Sequence, residues 1–128
     1  MKTPRQKAKD KLDRLFAKNI KLRDGVNGRG VCITCGDIHP LPELDAGHFR
    51  SRNYNSTRFD EKNVQLQCKS CNRFKSGESY LFGLALDEKY GEGTALELTK
   101  KSHETKKYTL DELLDLCEYY KGRLNDVD

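Results

Sequence analysis

"NVQLQCKSCNRFKSG", residues Asn63 to Gly77, holds a Cys-x-x-Cys pair, Cys68 and Cys71, with an asparagine ahead of it at Asn63 and another directly behind it at Asn72. A second pair, Cys32 and Cys35, precedes it, with 32 residues between Cys35 and Cys68. Each pair suits a knuckle, and four thiolates close a tetrahedral structural Zn²⁺ site. The gap exceeds that of most paired knuckles, so the metal would staple the two ends of a substantial insert. A structural zinc also supplies folding free energy. The chain needs such help: 128 residues with 35% hydrophobic and 34% charged residues and no Trp make only a small apolar core.

The compartment follows from the same cysteines. No apolar run approaches the roughly 18 residues of a membrane span, and no apolar stretch of a signal peptide opens the chain. The expectation is an intracellular, cytoplasmic protein with no membrane partner. Thiols stay reduced there, which favours metal ligands or core residues over disulfides. Cys117, four residues after Leu113 in an amphipathic stretch, reads as a buried core thiol.

The length fits one domain with appended helices. Three segments are expected: 1–30, a basic helix and glycine-rich loop; 31–91, the zinc-braced core; and 92–128, a linker and a C-terminal amphipathic helix. Over Pro4 to Arg23, Leu12, Leu15, Phe16, Ile20 and Leu22 recur at helical spacing among Lys and Arg, and "DGVNGRG" (Asp24 to Gly30) ends the helix. Short strands are expected around "VCITCG" and "LDAGHF", a helix from Cys71 or Asn72, and helices over Ser79 to Gly91 and Thr109 to Leu124. The last opens with a capping box, Thr109 with Glu112.

The net charge of +4 conceals a gradient: +7 over residues 1–30, +2 over 31–77 and −5 over 78–128. The positive end points at a polyanion. Arg14, Lys18 and Lys21 on the first helix are the expected sequence-independent backbone contacts.

Between the cysteine pairs lies His48, and the spacing His48-x14-Asn63-x8-Asn72 resembles an HNH, or ββα-metal (His-Me), nuclease finger. The resemblance implies that His48 is the general base, that Asn63 holds the loop and that Asn72 stands where a metal ligand belongs. "DAGHFRSR" (Asp45 to Arg52), "TRFDEKNVQLQCKSCNRFKSGE" (Thr57 to Glu78) and "KYG" (Lys89 to Gly91) resemble the phage lambda NinG/Rap family of recombination endonucleases. That likeness implies cleavage of branched DNA such as Holliday junctions and D-loops, in the host cytoplasm if the protein is phage-encoded. The fold it implies is α+β, a ββα-metal finger braced by the four-cysteine zinc site, with a basic N-terminal helix and C-terminal helices.

Phosphodiester hydrolysis needs a base, a divalent cation and positive groups on the strand. His48 suits the first because its ordinary pKa lies near neutrality. Mg²⁺ or Mn²⁺ on oxygen ligands suits the second. Many HNH enzymes carry Asp or His directly before the base, whereas this chain has Gly47. Asp45 lies two residues, or about 7 Å, up the strand from the base's neighbour, and a bulge at Gly47 would bring it closer; Asp60 is the other carboxylate, less favoured. If the strand continues to Tyr54, His48, Arg50 and Arg52 project from one side, placing two guanidiniums beside the base. Arg58 and Lys75 add further candidate phosphate contacts, against a reading as plain surface charge; His39 and His103 read as surface residues.

Two coordinated nicks would make a homodimer natural, with the C-terminal helix as contact; packing on its own domain is the alternative. A general HNH nicking or restriction-type nuclease shares every one of these residues. A non-catalytic zinc module that binds DNA is the reading from another class.

Overall fold

The computed structural model describes residues 1–125; the last three residues of the expected segment 92–128 lie outside them. Helix α1, Pro4–Asp24, starts at a capping box in which the Thr3 side chain and Gln6 satisfy each other's backbone N–H groups. It buries Ala8, Leu12, Phe16, Asn19 and Ile20 along one face and leaves most of its lysines and arginines in solvent. Its main partner is the last helix, α5, Leu110–Asn125. Leu113, Cys117 and Tyr120 of α5 meet Phe16, whose ring lies 5.0 Å from Tyr120, edge to face. Asn19 donates to the carbonyls of Leu15 and Tyr120 at 2.8 and 2.9 Å, a buried polar link between the helices. Cys117 is a core thiol here, and α5 spends its apolar face on its own domain.

Two antiparallel two-stranded sheets lie between these helices in sequence. Strand β1, Arg29–Val31, pairs with β2, Ile38–Pro40, and β3, Leu44–His48, pairs with β4, Val64–Cys68. Every residue of β3 faces one partner, from Leu44 opposite Cys68 to His48 opposite Val64, so no bulge at Gly47 brings Asp45 closer to His48. Gly47 has a packing reason instead. A Cβ there would sit 2.2 Å from the side-chain oxygen of buried Gln67, whose amide reaches Thr34 and the Gly77 carbonyl.

Three further expectations are corrected. The strand ends at His48 rather than running to Tyr54, and the short helix α2, Asn55–Arg58, follows a loop. The helix expected from Cys71 or Asn72 is a single π turn, Ser70–Phe74, after which Ser76, Gly77 and Glu78 take positive φ and the chain re-enters helix as α3, Ser79–Tyr90. Residues expected as linker hold α4, Thr94–Ser102, whose Leu98 joins Phe82 and Leu86 of α3 in a second apolar cluster beneath Phe49 and Ile33. The architecture is mixed α+β with small sheets. No helix among the described residues is long and apolar enough to cross a membrane.

Candidate metal centre and adjoining cavity

β1 delivers Cys32, the turn before β2 delivers Cys35, and β4 with the π turn delivers Cys68 and Cys71. The four sulfurs lie within 4.8 Å of one another, and all four thiols are free. A tetrahedral zinc with Zn–S near 2.3 Å requires sulfurs about 3.8 Å apart, and Cys35 Sγ lies 3.9 Å from Cys68 Sγ. The Cys71 N–H donates to Cys68 Sγ at 3.4 Å, the kind of bond that stabilises a thiolate. Burial opposes ionisation of Cys32, but N–H groups of Cys35, Cys68 and Thr34 and the Thr34 hydroxyl outweigh it and draw the thiol down to about 6. Cys35 is pushed up to about 12, by loss of water around its sulfur and then by the neighbouring Cys32. Four thiolates crowd each other unless a cation lies between them. These cysteines could hold a zinc ion, and the soft all-sulfur set suits one.

Asn72 and Arg73, directly after Cys71 on the π turn, stand in the wall of a cavity of about 520 Å³ that also takes in residues of β3 and α1. His48, Asp45, Asn72, Arg73, Arg52 and Asp13 all line it. His48 Nε2 lies 3.0 Å from the Arg58 carbonyl oxygen. A carbonyl only accepts, so Nε2 carries the proton and Nδ1 of the neutral ring is left with its lone pair. Burial pulls this imidazole down to about 4, against the Arg58 carbonyl and with the help of the Arg52 charge, so the ring is neutral at pH 7.

The loop between β3 and β4 is closed by Asn63. Its carbonyl oxygen accepts from the Arg50 N–H at 2.8 Å, and its amide donates to the carbonyls of Arg50 and Thr57, each at 3.0 Å. It is fully buried and touches only backbone through these bonds. Asn72 donates its amide to Asp45 at 3.0 Å, and Arg73 grips the same carboxylate with two nitrogens at 2.9 and 3.0 Å. Asp45 and Asn72 thus come together beside His48. Asp60 does not: it binds Lys101 and the Lys62 N–H and lines a different pocket against α4.

The arginines separate. Arg52 stays at the cavity, but Arg50 turns to α4, donating to Ser102 Oγ at 3.0 Å and lying 4.7 Å over the Tyr54 ring. The side-by-side placement expected from strand alternation fails because the strand has already ended. Arg58 is paired with Asp13 of α1 through two nitrogens and also donates to the Arg52 carbonyl. Arg14, Lys18 and Lys75 are exposed and Lys21 is half-buried. His103 is exposed, near the Tyr54 ring, whereas His39 is half-buried and its Nε2 has no partner.

Sequence reading overlooked Asp13 and Arg73. Asp13 was signalled only as an acid among the bases of "KLDRLF", and Arg73 as one of two cations in "NRFK". A larger groove, about 1150 Å³, runs between the β1–β2 hairpin and α3. Its lining holds no histidine; Arg23, Asp24 and Lys89 there are already interlinked, beside Arg29 and Glu88.

The family profile described as "Bacteriophage Lambda NinG protein" matches residues 1–128. The chain belongs to the NinG family. Proteins named "Protein ninG" from Salmonella phage P22, Escherichia phage 933W and Escherichia phage lambda are 32%, 31% and 30% identical to it over 97 residues. Those 97 residues are 75% of this NinG-family chain and 47% of each relative, so the chain spans about half the length of the NinG proteins it matches. No solved structure matches it.

Proposed function

We propose that the chain is a metal-dependent DNA endonuclease of the HNH type that acts on branched DNA, with His48 as general base. The observation that carries this reading is a half-buried histidine, fixed through Nε2 to the Arg58 carbonyl, in one cavity with Asp45 and Asn72. An imidazole with one nitrogen anchored and the other unprotonated is set to take a proton from water. Asn63 holds the loop whose far end supplies that carbonyl anchor, so it is a positioning residue. Arg52, in the cavity wall, would hold the scissile phosphate.

The acidic and amide side chains fit a hard divalent cation in part. Asp45 and Asn72 already touch, and Mg²⁺ or Mn²⁺ held by their oxygens would neutralise phosphate charge and stabilise the leaving oxygen. Binding would require Asp45 to give up its contact with Arg73. The four cysteines with zinc would brace the turn bearing Asn72. The exposed bases of α1, Arg14 and Lys18, would hold the DNA backbone without reading sequence.

One observation favours a second reading, a zinc-stabilised module that binds DNA without cutting it: both Asp45 oxygens are already occupied by Arg73 and Asn72. Incubating a labelled four-way junction and its matched linear duplex with and without Mg²⁺ separates the two. Metal-dependent cutting of the junction, lost in a folded His48→Ala variant by roughly the 10²–10⁴-fold of a missing general base, is the expected result. Equal cutting of both substrates would leave a nuclease without branch preference. Tight binding without cutting would establish the module.

A further inference from the structure

Phe74 ends the π turn that follows the last cysteine, and it is 83% exposed, more than any other aromatic side chain of the described residues. Leaving a phenylalanine in water forgoes stabilisation that the other four, all packed in the two apolar clusters, obtain. The turn presenting it is held firmly. Cys68 and Cys71 anchor its start, the Lys75 N–H donates to the Ser70 carbonyl at 3.0 Å, and the Gly77 N–H donates to the Cys71 carbonyl at 2.8 Å. Gln67 reaches across to the Gly77 carbonyl at 2.7 Å. A π turn built this tightly around an unpacked ring is the kind of local irregularity found at functional positions.

Charge and position say what the ring would meet. Arg73, paired with Asp45, and the exposed Lys75 flank it, and Lys69 is exposed just ahead of the turn. Arg73 and Ser76, on either side of the ring in sequence, line the cavity that holds His48. A polyanion drawn to that cavity would lie against the turn that carries the ring. Neighbouring cations suit phosphates, and an apolar ring among them suits the face of a nucleobase. In a continuous duplex the base faces are stacked and closed, whereas the open crossover of a metal-free junction exposes the faces of its innermost pairs and a single strand exposes every base.

We propose that Phe74 is a base-stacking residue, engaging an exposed nucleobase face next to the cavity and so favouring interrupted DNA over continuous duplex. The inference rests on the DNA-binding part of the function proposed above and is independent of cleavage. The chain contains no tryptophan, so Phe74→Trp installs a single indole reporter. Titrating that variant, without added Mg²⁺ or Mn²⁺, with a four-way junction, an oligo-dT strand and a linear duplex is expected to quench its emission with the first two and not the third. Phe74→Ala is expected to bind the junction about tenfold more weakly, as loss of one base stack predicts, with duplex affinity and thermal unfolding midpoint unchanged. Unquenched emission on a bound junction would overturn the proposal, and so would an alanine variant with undiminished junction affinity. Quenching in a protein that never cuts DNA would sink the nuclease reading and leave this one standing.

Discussion

His48 couples the cavity to the stability of the chain. Its folded form resists protonation, with a pKa of about 4 against an ordinary 6.5, so the unfolded chain binds the extra proton between those values. Stability contributed by the neutral ring is complete above pH 6.5 and is lost as the pH falls towards 4. Denaturant unfolding of wild type and His48→Gln across this range should show the wild type losing up to roughly 3 kcal/mol more than the variant. Comparison at each pH cancels the acid loss of thiolate ligands common to both. Gly47 gives a second test at one position. Gly47→Ala forces a methyl into Gln67 and should cost about 1–3 kcal/mol in the same measurement. The sequence shows Gly47 as a gap in the nuclease pattern; its reason, a glutamine across the sheet, is a tertiary contact that spacing does not report.

Elements were readable where one strip of side chains decides them. α1, α3 and α5 carry a buried face and capping or glycine signals, and the structure places all three within a residue or two of the expected ends. α4 was missed because "TALELTKKS" follows two glycines and shows only a short apolar strip; it forms where Leu98 can reach Phe82. The strand after His48 was overdrawn, since alternating arginines imitate period two while Asn63 holds the backbone in a loop. The pairing of α1 with α2 is testable at this level. Asp13→Ala leaves the Arg58 guanidinium, only 15% exposed, without its carboxylate. It should lower stability by roughly 2–3 kcal/mol and, by loosening the carbonyl that anchors His48, reduce junction cleavage further than DNA binding.

For the molecule as a whole, the cysteine cluster joins the β1–β2 hairpin to the β3–β4 sheet, and both apolar clusters draw on residues next to it. One zinc per chain is expected by elemental analysis, and a strong chelator should abolish cooperative unfolding and reduce helical circular dichroism as the sheet and turn come apart. The charge gradient gives another expectation. Junction affinity should fall steeply with salt, and Arg14→Ala or Lys18→Ala should each reduce the slope of log affinity against log salt by about 1. The cysteine cluster and the histidine of the cavity were legible because their chemistry is tied to residue type. The charges set around the cavity, Asp13 bound to Arg58 and Arg73 bound to Asp45, were not, because each is an ordinary charge made meaningful by distant chain segments.

The clasp between α1 and α5 also dictates an order of events during synthesis. α1 leaves the ribosome with Leu12, Phe16 and Ile20 uncovered, and the helix that shields them begins only at Leu110. At ordinary elongation rates that interval is on the order of 5–20 s. The cysteine pairs emerge well before it ends, so metal capture can precede closure of the main core. In a cell short of zinc, the nascent chain would carry a bare amphipathic basic helix beside an unformed turn, and newly made protein would be handed to chaperones or proteases before its core could close.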